Sequence, residues 1–328
     1  MNSNKTARKQ FISNALLNIL LTLCYVGVCY GISVALKRFS PVAQEEPKKN
    51  FVPETNPFCK LCNFTPTIKP SSSSTDLIIT FLTSFNDRSE MMLRSIRSTG
   101  CAATIICFTP EGVDFPRELE ACDIKHVKVK FNQSMKNAIG KFRWETYQKY
   151  LKIHWRKYRR VMQTDAYDAF FFGDPFAYAT RTDALYFESE EEKVGYCPYN
   201  RVWVERCFDE NVEAVFQQAI LCSGSLIGGI KPFMEFMNAM IAQPGWRRCL
   251  DHNGYDQGAF IYAYYTKKWN YTNIVLPCNS PFVTLHYCRK DKNLEILSKE
   301  GKSKYIFIHQ YNRYDDMINQ LNSICNFS

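Results

Sequence analysis

Residues 161 to 176, VMQTDAYDAFFFGDPF, place the tightest constraint on how this chain can fold. A short strand-like run, Val161 to Thr164, stops abruptly at Asp165, and a second carboxylate, Asp168, follows three positions later. The next apolar run, Ala169 to Phe172, ends in a turn at Gly173, Asp174 and Pro175. The pattern predicts a strand, a short acidic loop and a second strand. Open α/β sheets bind ligands beyond the carboxyl ends of their strands, and two carboxylates on one loop can share a divalent cation. The same residues also suit a plain turn, because Asp and Pro favour turns for purely local reasons.

The upstream sequence fits a sheet of that kind. Asp76 opens an apolar strand, DLIITF, that runs into a polar loop at Ser84 to Arg88, and a helix through Ser98 follows. A second apolar run, CAATIICFTP, reads as another strand, so strand, helix and strand fall within the span of a parallel βαβ unit. Ile124 to Phe131 is a third strand in this reading. Residues 137 to 160 predict a helix, with Trp144, Tyr147, Leu151, Trp155 and Tyr158 recurring every three or four positions as a core-facing stripe. Lys149, Lys152, Arg156, Lys157, Arg159 and Arg160 lie between them and read as a solvated face. Arg143, in the first turns, is a candidate phosphate contact. A chain of 328 residues that is 46% hydrophobic can bury a sizeable core around such elements.

The amino-terminal part reads differently. Gln10 to Leu36 carries no charged side chain, and at 1.5 Å per residue it is long enough to cross a bilayer. The expected layout is a cytosolic tail at 1–10, a transmembrane anchor at 11–36, a stem at 37–75 and a luminal domain at 76–328. A cleaved signal peptide is the alternative, but its apolar region is shorter, about 7 to 15 residues. Six prolines and a run of serines mark 37–75 as extended linker. The net charge of +9 divides into +6 for residues 1–75 (nine basic, three acidic) and +3 for the rest (32 basic, 29 acidic), which argues against a nucleic-acid partner.

Fourteen cysteines are many for a reducing compartment, and setting aside Cys24 and Cys29 leaves twelve, an even number suited to pairing in an oxidising lumen. Cys59 and Cys62 form a lone C-x-x-C without a second pair at zinc spacing, so disulfide chemistry is the better reading. Asn63, Asn132, Asn270 and Asn326 each begin an N-glycosylation sequon on the carboxyl side of the apolar run.

Three further segments carry candidate chemistry. After a polar stretch with Glu188, Glu190, Glu191 and Glu192, a short strand is expected at Val194 to Cys197. In AILCSGSLIGGIKPF, Ala219 to Cys222 reads as a strand, Ser223 to Gly229 as a glycine-bearing loop and Pro232 as the first turn of a helix. A simple tight turn explains those glycines equally well. In DHNGYDQG, Asp256 and Gln257 fall in the first turn of another helix, where acidic side chains commonly complement the dipole. Finally, Tyr305 to Ile308 reads as a strand delivering His309 into a polar loop, and imidazole is a common ligand beside carboxylates.

Four blocks, TDAYDAFFFGDPF, CSGSLIGG, GYDQG and FIHQY, occur in an order that resembles Golgi-type glycosyltransferases of the GT-A-fold, nucleotide-diphospho-sugar transferase class, over roughly residues 76–315. The resemblance implies an α/β fold with a mostly parallel central sheet flanked by helices. It also implies a type II single-pass protein of the Golgi or endoplasmic reticulum membrane. Its activity would be transfer of a sugar from a nucleotide-diphosphate donor to a glycan, protein or lipid acceptor with Mn²⁺ or Mg²⁺. Asp165 would match the first aspartate of the D-x-D metal motif, Asp168 or Tyr167 would take the second role, and His309 would complete the site. Ser84, Asn86 and Arg88 would lie near the nucleotide base, Arg143 near the phosphates, and Ser223 with Gly224 along the donor-sugar pocket. Asp256 and Gln257 would touch the transferred sugar or the acceptor, with Asp256 the candidate base for an inverting reaction. The alternative is a catalytically inactive luminal protein of the same fold that binds a glycan or a partner chain.

Overall fold

In the computed structural model, β1 (Asp76–Phe81) is an inner strand of the main sheet, with all six residues buried. A strand covered on both faces reads as a continuous apolar run, which is why DLIITF shows no alternation. Residues 56–131, 138–248, 254–289, 296–298 and 300–326 are described by the structure. The expected tail, the anchor at 11–36, the first part of the stem and the Asn132 sequon lie outside the described residues. Among the described residues no helix is long and apolar enough to cross a membrane.

The fold is mixed α/β. After β1 come α1 (Asp87–Ser98), β2 (Thr104–Pro110), α2 (Arg117–Ala121), β3 (Ile124–Val129), α3 (Ile139–His154), β4 (Arg160–Thr164), β5 (Ala169–Phe171) and α4 (Pro175–Tyr178). The chain continues with β6 (Ala184–Lys193), α5 (Pro198–Glu205), α6 (Val212–Phe216), β7 (Ala219–Leu221), β8 (Ser225–Gly229), α7 (Ile230–Ile241) and α8 (Pro244–Arg248). Last come α9 (Tyr255–Thr266), β9 (Thr272–Leu276), β10 (Phe282–Thr284), α10 (Leu285–Cys288), β11 (Phe307–His309) and α11 (Asp315–Ile324).

The central sheet has the order β3-β2-β1-β4-β8-β6-β7, with β9 also paired to β6. Strands β1 to β4, β6 and β9 run one way, and β7 and β8 run against them. The sheet is therefore mostly parallel, as expected. A smaller sheet, β10-β11-β5, packs beside it through Phe171, Phe282 and Phe307. On the other face, Phe142, Trp144, Tyr147 and Leu151 of α3 pack on Leu77, Ile79 and Phe108.

Several boundaries differ from the expected ones, each for a physical reason. Helix α3 ends at His154 rather than at 160: Trp155–Lys157 tighten into a 3-10 turn, and Arg160 belongs to β4. Arg160 is no solvated cation. It is buried, it donates to both carboxylate oxygens of Asp76 at 2.7 and 2.8 Å, and that pair aligns β4 with β1. The glutamates 188 and 190 form part of β6 and are buried, and Val194 to Cys197 form a turn instead of a strand. Ser225–Gly229 is strand β8, hydrogen-bonded between β4 and β6, so the expected glycine loop shrinks to residues 222–224.

The expected stem also shortens. Residues 56–75 are packed on the domain through Cys59–Cys122 and Cys62–Cys325 and through Asn63 N–H donating to Ile324 O at 2.6 Å. Asp174 of the D-P-F segment accepts from the backbone N–H groups of Ser71 and Ser72, both at 2.7 Å, and caps α4 through Phe176 N–H. Both C-x-x-C cysteines thus form disulfides with distant partners. Cys278–Cys288 is a third pair, and Cys207 is also disulfide-bonded. Pairing is not complete as expected: Cys101, Cys107, Cys197 and Cys222 are buried free thiols.

Candidate metal centre

The site forms where the two sheets meet, at the carboxyl end of β4. Asp165 follows the last residue of β4, and its backbone N–H donates to Gly224 O at 2.7 Å, tying the acidic loop to the turn before β8. Antiparallel pairing of β5 with β11 sets Ala169 opposite His309, which places the preceding Asp168 beside the imidazole. Side-chain ligand atoms of Asp165, Asp168 and His309 all lie within 4.8 Å of one another. His309 Nε2 is 3.2 Å from Asp168 Oδ1 and 3.5 Å from Asp165 Oδ2.

These residues fit a divalent cation. His309 Nε2 is buried without a well-formed hydrogen bond, and it faces the carboxylates of Asp165 and Asp168. Two carboxylate oxygens and one imidazole nitrogen form a donor set suited to a cation such as Mn²⁺ or Mg²⁺. The imidazole reaches this position only because residue 224 is glycine. A side-chain carbon there would overlap the ring.

Arg143, on α3, neutralises the cluster from the other side. Its guanidinium bridges Asp165 and Asp256, donating to Asp256 Oδ2 at 2.7 Å and reaching Ser223 O at 3.4 Å. Burial acts to raise the Asp165 pKa, but Arg143 and then His309 outweigh it and hold the carboxyl below its usual range. For His309, burial favours the neutral ring, yet Asp168, Cys222 and Asp165 reverse this and raise its pKa well above that of a free imidazole. Both directions express one demand, that the carboxylates be met by positive charge.

The remaining expected residues fall into place around this cluster. Asp256 is 6% exposed and occupied by Arg143. Gln257 Oε1 accepts from Ser223 N–H and its Nε2 donates to Leu221 O, both at 2.7 Å, so this side chain pins the 222–224 turn. Tyr167 turns away from the carboxylates. Its hydroxyl donates to Ser84 O at 2.8 Å and accepts from Thr83 N–H at 3.1 Å, locking the acidic loop to the end of β1. Asp168 therefore takes the second place in the cluster. Asn86 caps α1 in a reciprocal capping box with Ser89. Arg88 stands exposed on α1, and no hydrogen bond or ion pair joins it to the cluster.

Four residues missed in the sequence complete the surroundings. Thr284 Oγ1 and Cys222 Sγ each lie 3.3 Å from His309 Nδ1. Glu188 is buried behind the site, hydrogen-bonded by Ser225, and burial, reinforced by Glu190, pushes its pKa up to about 7 against the pull of His309 and Ser225. Cys222 directly precedes the CSGS serine and could have been flagged by position. Nothing local distinguishes Thr284, Glu188 or Ser225. No family model matches the chain, and no curated protein matches it.

Proposed function

We propose that this protein is a metal-dependent glycosyltransferase with a GT-A-type fold, anchored in the Golgi or endoplasmic reticulum membrane with its domain in the lumen. It would move a sugar from a nucleotide-diphosphate donor to a glycan, protein or lipid acceptor. The observation that carries the reading is the convergence of Asp165, Asp168 and His309 at the carboxyl end of β4, with Arg143 beside them.

Sugar transfer builds negative charge on the departing diphosphate; Asp165, Asp168 and His309 would hold a divalent cation, which would supply opposing charge there. Arg143 adds a fixed cation beside Asp165, held in place by Asp256. We assign Asp256 to that positioning role instead of to a base on the acceptor, because its carboxylate is buried and ion-paired. Gln257 holds the 222–224 turn against the site, and Tyr167 fixes the acidic loop.

A second reading has its own support. Arg143 and a protonated His309 offset the charge of Asp165 and Asp168 without any metal, as expected of an inactive member of the fold that binds a glycan or partner chain. Calorimetry of the full-length chain with Mn²⁺ and nucleoside diphosphates separates the two. Binding, together with Mn²⁺-dependent release of a nucleoside diphosphate from one donor in a panel, supports the transferase. Turnover that survives Asp165→Ala overturns the metal assignment, and no binding across the panel favours the inactive protein.

A further inference from the structure

The hydrogen bonds behind His309 bear on which of its nitrogens carries a proton. Parallel pairing of β10 with β11 sets Thr284 directly opposite His309, and both are buried, at 0% and 1% exposure. Thr284 Oγ1 lies 3.3 Å from His309 Nδ1 and donates to Gln310 Oε1 at 3.4 Å. Gln310 follows the strand in the left-handed backbone region, with φ 60°.

A hydroxyl has a single proton, and an amide carbonyl oxygen can only accept. With that proton directed to Gln310, the Thr284 oxygen is left to accept at Nδ1, an arrangement that favours N–H on that nitrogen. Cys222 Sγ, 3.3 Å from the same nitrogen, can accept weakly from the same N–H. In a neutral imidazole with Nδ1–H, the lone pair sits on Nε2, the nitrogen facing Asp165 and Asp168.

We propose that Thr284, oriented by Gln310, is a positioning residue that holds His309 in the Nδ1–H tautomer and so presents the Nε2 lone pair to a divalent cation. The inference rests on the metal reading above for its purpose, but the tautomer itself is a property of the protein alone. Outer hydrogen bonds to ligating histidines typically change metal affinity by about 10- to 100-fold.

The test uses the full-length chain labelled with ¹⁵N-histidine, His309 being assigned by its disappearance in His309→Gln. Nitrogen shifts recorded where the ring is neutral are expected to show Nδ1–H in the wild type. Thr284→Val, which keeps the shape and removes the hydroxyl, should weaken Mn²⁺ binding by about 10- to 100-fold, whereas Thr284→Ser should restore it. Gln310→Leu should shift the wild-type tautomer toward Nε2–H. A wild-type ring that carries Nε2–H overturns the inference whether or not Mn²⁺ binds, and so does wild-type Mn²⁺ affinity in a folded Thr284→Val protein. A wild type with Nδ1–H but no affinity for Mn²⁺ upholds the hydrogen-bond lock and overturns the metal reading instead.

Discussion

The carboxyl group of Asp256 fills the space that a side chain on Gly140 would need, and from there it accepts a hydrogen bond from Arg143 at 2.7 Å. Helices α3 and α9 thus approach closely at one point, and that approach sets the cation of the site. Gly140→Ala should push Asp256 off Arg143 and destabilise the protein by about 1–3 kcal/mol through overpacking. Urea denaturation measures the loss, and Mn²⁺ calorimetry should show weakened binding in the same variant.

Arg143→Met removes the only side chain that bridges Asp165 and Asp256 among the described residues. An unpaired buried charge of this kind is expected to cost about 3–5 kcal/mol at neutral pH. The sign follows from Asp165, whose pKa is depressed in the folded protein despite its burial, chiefly by Arg143. Its ion pairing stabilises the wild type above the unfolded carboxylate pKa and is lost as pH falls through the folded value. The variant should therefore differ most from wild type at neutral pH and converge with it in acid, as read from denaturation midpoints against pH.

Glu188 behaves in the opposite sense. Burial raises its pKa from 4.5 to about 7, so it favours the folded state below pH 4.5, and that contribution is lost as pH rises toward 7. A shift of this size corresponds to about 3 kcal/mol at most. Glu188→Gln should flatten the stability curve between these pH values in metal-free protein. An unchanged slope would contradict the raised pKa.

The Cys62–Cys325 disulfide joins residues 263 positions apart and fastens the former stem segment to the end of α11. Replacing both cysteines with serine should lower stability by about 2–5 kcal/mol, because the bond restricts the unfolded chain over a long loop. Thermal melting with and without reductant checks this. Reductant should shift the wild type and leave the double variant less affected.

Asn63 and Asn270 are exposed at the surface, each at the start of a sequon. Expressed in a secreting cell, the full-length chain should lose apparent mass on treatment with a peptide N-glycosidase, and Asn270→Gln should remove one increment. No mobility change for any sequon would contradict the luminal address.

Much of this arrangement was legible in the residues. Local patterning suffices for β1 and β2, because buried parallel strands are near-continuous apolar runs, and Val161 and Met162 before Asp165 suffice to mark β4. Asp165 and His309 were recognisable as polar residues at the ends of such runs. The limits are equally physical. Arg160 looked like one more surface cation because its partner Asp76 lies 84 positions away, and buried glutamates in β6 carry no apolar alternation.

The sequence by itself determined strands β1 to β4, helices α1 and α3, the candidate ligands and the glycines on which the close approaches depend. Only the tertiary structure decided which groups meet. The register of β5, β10 and β11 places Asp168 and Thr284 on either side of His309, and the contact of α3 with α9 gives Arg143 both Asp165 and Asp256. Those outcomes depend on pairing between separated segments, 22 residues apart for Arg143 and Asp165 and 113 apart for Arg143 and Asp256, and no local pattern of charge or hydrophobicity encodes such pairings.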